Sequence, residues 1–433
     1  MLDINEDEFP KHFCSVPWLQ IHTEPDGKVF PCCYYSHETS HNLGNWNKSK
    51  LTDIFYGEGF NNLRKEFIEG KRPAACNRCW REEDSGIVSM RQRFNERYSE
   101  FPDFANQNRY NKLKDIIVCS NEDGTVENIK LATIDLIFNN VCNFKCRSCG
   151  PGLSTSWVAD TLKMGNTVPA NLQTNNKIEH MESDLVDLVN MVDPYTEIHF
   201  SGGEPMMQEE HYEFLQLLID MGKTDIKIRY NTNLSIYTLK NYNAFELLNK
   251  FDNVFIIGSI DAMGAQGEYI RKGFSWEKAL DWIRTSKECL PKADYGISAV
   301  YSLLNADAAI DLHRFMCEND IFTKHNGEKF GFNLNVLHEP YYMRTTVLPS
   351  ETKKKISDKI DKHMQYLEET QIKNFDYDVF MDHWKNAKTL MNSKDESNLI
   401  PNFYEHTHRL DKIRDESFIK IFPQLHMELV RYA

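Results

Sequence analysis

Three cysteines, Cys142, Cys146 and Cys149, stand in the segment VCNFKCRSCGP with C-x3-C-x2-C spacing. Thiolates gathered this tightly hold metal, yet structural zinc closes its shell with four protein ligands and no histidine or fourth cysteine follows nearby. Three thiolates do satisfy a cubane [4Fe-4S] cluster bound through three of its irons, which leaves the fourth iron open to a reactant. Other cysteines gather at Cys14, at the neighbours Cys32 and Cys33, and at Cys76 and Cys79 in a C-x2-C pair. Strand alternation sends only one of Cys32 and Cys33 toward a common centre, and either could be the one.

Composition narrows the class of protein. The 433 residues carry 64 Asp and Glu against 50 Lys and Arg, a formal net charge of -14, with no long basic block. That balance argues against generic nucleic-acid binding. The first residues, MLDINEDEFPKHFC, are acidic and lack an apolar core, and no apolar run approaches a membrane span. A soluble, cytoplasmic protein with no membrane association is expected. Eleven cysteines, an odd number gathered in clusters, favour metal or redox chemistry over a disulfide framework.

The elements that position these groups fall into four spans. Residues 1–95 read as a small module, in which WLQIHT and KVFPCC flank a Glu-Pro-Asp-Gly turn as a hairpin. So small a module needs a staple. Residues 96–128 carry Pro, Asn and Asp and read as a linker or excursion. Residues 129–345 alternate strand and helix patterns, with strands expected at 133–138, 197–200, 225–230, 253–260, 295–302 and 332–337. Phe214, Leu217, Leu218 and Met221 fall on one helical face, and a second helix begins at Ser275. Repeated strand–helix units imply an α/β fold, a partial (β/α)6 TIM-like barrel whose functional residues lie at strand C-terminal ends. Residues 346–433 read as C-terminal helices that cap the barrel or pack on the first module, with no chemistry of their own.

CNFKCRSC directly after a strand resembles the radical S-adenosylmethionine (SAM) enzymes. The resemblance implies that the open iron chelates the amino and carboxylate groups of the cofactor's methionine moiety, and that reductive cleavage yields a 5′-deoxyadenosyl radical. Ser201-Gly202-Gly203-Glu204-Pro205 ends the second strand and matches the family's GGE motif, which binds the methionyl amino group; two glycines admit close backbone approach. The resemblance also places Asn233, Ser259 and Asp261 near the ribose, the methionine or the substrate, and Arg271 at the cofactor carboxylate. Many members carry an aromatic residue before the last cysteine, where this chain has Ser148. Phe144 is a candidate for supporting the loop.

FCSVPWLQIHTEPDGKVFPCC followed by ACNRC resembles the SPASM/twitch auxiliary-cluster modules of the same superfamily, here N-terminal to the barrel rather than after it. That resemblance implies a second [4Fe-4S] cluster on Cys14, Cys32, Cys76 and Cys79, with zinc as the alternative. It also implies a flavodoxin or ferredoxin-type electron donor and, most often, a peptide or protein substrate modified by oxidation or cross-linking. A sugar or nucleotide-derived small molecule and a noncatalytic iron–sulfur or zinc scaffold are the other readings. Cys119, Cys289 and Cys317 are isolated and read as small buried residues, and His199 reads as a packed strand residue.

Overall fold

The computed structural model describes residues 10–36, 38, 41–86, 88–100, 120–172, 181–322, 331–370 and 377–433. Cys119 and much of the expected linker lie outside them. The chain divides into two compact units. The first comprises residues 1–139, 176–202 and 213–228, and the second residues 140–175, 203–212 and 229–433.

In the first unit, the hairpin forms as expected. β1 (Gln20–Thr23) pairs antiparallel with β2 (Val29–Phe30), His22 opposite Phe30. β1 also pairs in parallel with β3 (Thr133–Leu136), which pairs in parallel with β4 (Glu197–Phe200). The sheet order is β2–β1–β3–β4, so the small module supplies a strand next to the first barrel strand. Alternation divides the residues cleanly. Ile21, Ile134 and Ile198 are wholly buried on one face, while His22, Asp135 and His199 stand in register on the other. Beyond β3, Ile137 N–H donates to Thr23 Oγ1 at 2.8 Å, which extends the pairing past the strand. The module's own core is aromatic, with Trp18, Trp46, Phe55, Phe60 and Phe67 all sealed from solvent.

β5 (Lys227–Thr232) begins in the first unit and ends in the second. The second unit continues with β6 (Asn253–Ser259), β7 (Asp294–Tyr301) and β8 (Phe332–Val336), in the order β5–β6–β7–β8. β6, β7 and β8 are parallel, as strands joined by helical crossovers must be. Strand ends differ from expectation by one or two residues, and β5 is displaced toward the C-terminus because Asn231 and Thr232 continue the extended backbone.

The helix expected around Phe214 spans Glu209–Asp220, and its buried residues include Tyr212, Leu215 and Leu218. Leu217 is only half-buried and Met221 lies beyond the helix end. Ser275 caps the next helix, Trp276–Cys289, through its hydroxyl. Cys289 is exposed and Cys317 half-buried, so neither is the core residue expected.

Three long helices, Ser350–Glu369, Tyr377–Asn392 and Ile400–Arg414, precede two short ones at Phe418–Ile421 and Pro423–Leu429. The second packs on β8 through Trp384, whose indole donates to His313 Nδ1 at 3.0 Å. The third starts with Pro401 in its first turn and stops at Asp415, whose left-handed φ of 54° ends it after Lys412 and Arg414.

Candidate cofactor and cluster site

Cys142 and Cys146 are buried and Cys149 half-buried, on a loop that starts six residues after β3. The loop is held from within and from below. Ser154 Oγ donates to the Phe144 carbonyl, Ser156 Oγ to the Cys142 carbonyl and Trp157 Nε1 to the Cys146 carbonyl, at 2.6, 2.6 and 2.9 Å. Phe144, the expected loop support, is buried edge-on against Phe274. Lys145 and Cys146 form a short antiparallel ribbon with Lys272 and Arg271.

The GGE turn packs on the backbone of this loop. Gly203 has φ of 54°, and a Cβ there would lie 2.4 Å from the Val141 carbonyl oxygen. Gly202, at φ of 72°, leaves no room either, because a Cβ would meet Ile137 at 2.3 Å. Both glycines are therefore demanded twice, by conformation and by contact. Glu204 is sealed from solvent. Its backbone N–H donates to the Val141 carbonyl at 2.8 Å. Its carboxylate accepts from Asn233 N–H at 2.7 Å, Thr232 Oγ1 at 2.8 Å and Met206 N–H at 3.3 Å. Burial pushes its pKa up to about 7. The expected ammonium acceptor thus spends its oxygens on the chain's own donors, joining the GGE turn to the end of β5.

Asn233 Nδ2 points at the cysteine loop, 3.7 Å from Cys142 Sγ and 2.9 Å from Asn143 Oδ1. Asp261 and Arg271, both buried, form an ion pair with one hydrogen bond. Arg271 Nη2 donates to Oδ1 at 2.9 Å and Nε lies 2.8 Å from Oδ2. Arg271 Nη1 stands 3.8 Å from Cys146 Sγ. The guanidinium expected at a cofactor carboxylate is therefore engaged by Asp261 and a thiol. Ser259 closes β6, half-buried and in register with Ser298.

The donor chemistry fits an iron–sulfur cluster. Three thiols share one loop, and amide and guanidinium N–H groups face two of the sulfurs, which favours thiolate. Burial pushes Cys142 up to about 12, so metal binding there releases a proton. Cys146 is held below the ordinary thiol range by a hydrogen bond from Cys149 and, against burial, by Arg271.

In the first unit, Cys14, Cys32, Cys76 and Cys79 line one cavity together with Tyr35, Phe67 and Arg91. Cys33 is exposed and does not line it. Burial pushes both Cys14 and Cys32 up to about 12. Among the described residues, no group of three or more His, Cys, Asp and Glu side chains is arranged to hold a single metal ion. A cubane instead asks each thiolate to reach a different iron.

Residues 14–80 match the SPASM iron–sulfur cluster-binding domain, and residues 136–304 match the radical SAM superfamily. The chain is a radical SAM protein with a SPASM domain. The two domains imply a catalytic and an auxiliary [4Fe-4S] cluster together with SAM. Among solved structures, native anSMEcpe with bound AdoMet and Cp18Cys peptide is 18% identical, with a TM-score of 0.35, over 55% of this chain and 59% of that one. SuiB of Streptococcus suis bound to S-adenosylmethionine is 16% identical, with a TM-score of 0.35, over 54% and 46%. SuiB bound to its precursor peptide SuiA is 15% identical, with a TM-score of 0.36, over 56% and 47%. The chain thus spans less than two thirds of these proteins' length. No curated protein matches it.

The radical SAM protein holds two constellations that motif reading missed. In the first unit, Asp135 lies between two histidines, with Oδ2 2.7 Å from His22 Nδ1 and Oδ1 3.0 Å from His199 Nδ1. Ser201 Oγ donates to Oδ1 at 3.2 Å, and His22 Nε2 lies 3.1 Å from Glu24 Oε1. Burial opposes charge on His22, but Asp135 and then Glu24 override it and raise its pKa to about 10. His199 is accordingly partnered by Asp135 as well as packed. Strand alternation could have predicted the shared face, but not the register between β1 and β3.

The second constellation involves the C-terminal region. Helix Ile400–Arg414 reaches the cysteine loop. Arg414 Nε donates to Asp160 at 2.8 Å, Lys145 pairs with the same carboxylate at 3.1 Å, and Arg147 donates to Asp411 and Glu416. Trp157, Met164 and Leu410 form an apolar cluster against which Cys149 and Ile413 pack. Nothing local in residues 400–416 signals this role, because their partners lie more than 250 positions away.

No helix among the described residues is long and apolar enough to cross a membrane.

Proposed function

We propose that the protein is a radical SAM enzyme acting on a peptide or protein, with Cys142, Cys146 and Cys149 holding the catalytic cluster and Cys14, Cys32, Cys76 and Cys79 the auxiliary one. The observation that carries this is the GGE turn seated on the three-cysteine loop, Gly203 against Val141, within residues that match the superfamily. When bound, the three-thiolate cluster supplies the electron that cleaves SAM reductively to a 5′-deoxyadenosyl radical, which abstracts hydrogen from the substrate.

The chain's own residues do the positioning. Glu204 ties the GGE turn to the Asn233 backbone, which holds the Asn233 side chain beside Cys142. Asp261 orients Arg271 toward Cys146 and balances its charge, while its Oδ1 also accepts from Val300 N–H at 2.8 Å. In this reading Asn233 and Arg271 serve the thiolates first, and Gly202, Gly203 and Ser259 border the cofactor. A flavodoxin or ferredoxin-type donor supplies electrons. The SPASM domain favours a peptide substrate, since modules of this kind recur in peptide-modifying enzymes.

The test is anaerobic reconstitution, with about eight irons expected per chain if two cubanes load. SAM and dithionite should then give 5′-deoxyadenosine. Cys142→Ala should abolish it, whereas Cys76→Ala should leave it measurable. Iron uptake without 5′-deoxyadenosine in the wild type would instead favour a scaffold.

A further inference from the structure

Arg147 sits between Cys146 and Cys149 in the chain and is 3% exposed. Its Nη2 donates to Asp411 Oδ1 and, at 2.7 Å, to Glu416 Oε2, and its Nε donates to the Tyr269 carbonyl at 3.2 Å. The guanidinium carbon lies 3.6 Å from the Tyr269 ring centre, and Tyr269 Oη donates to Asp411 Oδ1 at 2.7 Å. Phe418 N–H donates to the other oxygen of Asp411 at 2.6 Å, and Lys272 pairs with Glu416 at 3.1 Å. One buried cation inside the cysteine motif is thus pinned against two carboxylates that come from the far end of the chain.

We infer that Arg147, Asp411 and Glu416 set the reduction potential of the cluster held by Cys142, Cys146 and Cys149, which makes residues 411–416 part of that centre. The inference rests on the proposed assignment of those three cysteines. The physical reason is charge. A cluster gains an electron on reduction, so a fixed cation nearby favours the reduced form and a fixed anion opposes it, most strongly where water is excluded. The clamp sets Arg147 and Lys272 against Asp411 and Glu416, and the two kinds of residue should pull the potential in opposite directions. A tie that merely held the loop would carry no such sign. Arg147 is therefore a positioning residue with an electrostatic role.

The experiment is an EPR-monitored redox titration of the reconstituted full chain, following the signal that changes when SAM is added. Arg147→Gln should lower the midpoint potential, and Asp411→Asn and Glu416→Gln should each raise it. Each should change the ratio of reduced to oxidised cluster at fixed potential by about tenfold, which is about 59 mV for a one-electron couple. Arg147→Lys keeps the charge and should stay close to wild type. Shifts of one common sign, or no shift at retained iron content, would overturn the inference. If Arg147→Gln does not load iron, the two carboxylate variants decide alone, an upward shift supporting the clamp and no shift refuting it. A wild-type protein with no SAM-responsive signal would count against the proposed function instead.

Discussion

A carboxylate buried between two imidazoles is a demand on protonation as much as on packing. Asp135 is surrounded by His22, His199 and Ser201, and His22 donates from both ring nitrogens, to Asp135 and to Glu24. With its folded pKa raised to about 10, His22 contributes stability that is complete below its ordinary value of 6.5 and is lost as pH rises through about 10. Chemical unfolding of the wild type should therefore show a fall in stability between those values that His22→Gln does not show. Asp135→Asn leaves the His22 cation with half its compensation and should cost about 3 kcal/mol at neutral pH. At the cysteine loop, Gly203→Ala forces a Cβ to 2.4 Å from Val141 and a side-chain residue into left-handed φ. It should reduce 5′-deoxyadenosine formation at least about tenfold, if the displaced turn costs about 1.4 kcal/mol or more in the binding geometry. Residue types carried much of this in advance, since cysteine spacing and paired glycines are local signals. Partners such as Asn233 to Cys142 and Arg271 to Cys146 were not legible, because each contact crosses 91 or 125 positions.

At the scale of elements, the bend and turn that follow β2 carry Cys32 and Cys33 into different surroundings. Cys32 lines the four-cysteine cavity and Cys33 is exposed. Iron analysis should therefore find that Cys33→Ala keeps the full complement and Cys32→Ala loses about half, the share of one cubane in two. The strands of the sheet were readable from their apolar and alternating runs, and the helix at Ser275 from its cap. The Glu209–Asp220 helix was readable in existence and in part of its face, since Phe214 and Leu218 are buried as expected, while Tyr212 and Leu215 share that burial and draw the covered face away from Leu217. Propensity says that a helix forms, and tertiary contact decides which side it buries.

For the whole molecule, the partnership of β1 with β3 carries the largest consequence. A sequence pattern that announces a hairpin does not reveal that its first strand will sit beside a parallel strand from another segment, so the module looked separable. Removing residues 1–95 should strip β3 of its neighbour and leave an unpaired strand edge, giving a protein that aggregates on expression. The double variant Cys76→Ala, Cys79→Ala, which empties the four-cysteine set but keeps β1, should remain soluble. Size-exclusion chromatography of the two proteins separates these outcomes.

That same pairing sets an order of events at the ribosome. His22 and Asp135 are 113 positions apart. At a synthesis rate of roughly 5–20 residues per second, β1 waits roughly 6–23 s for its partner strand to be made. During that interval β1 has only β2 beside it, and the edge that β3 will cover stays open. The four-cysteine cavity is lined entirely by residues 14–94, so its lining is complete in the chain before β3 is made.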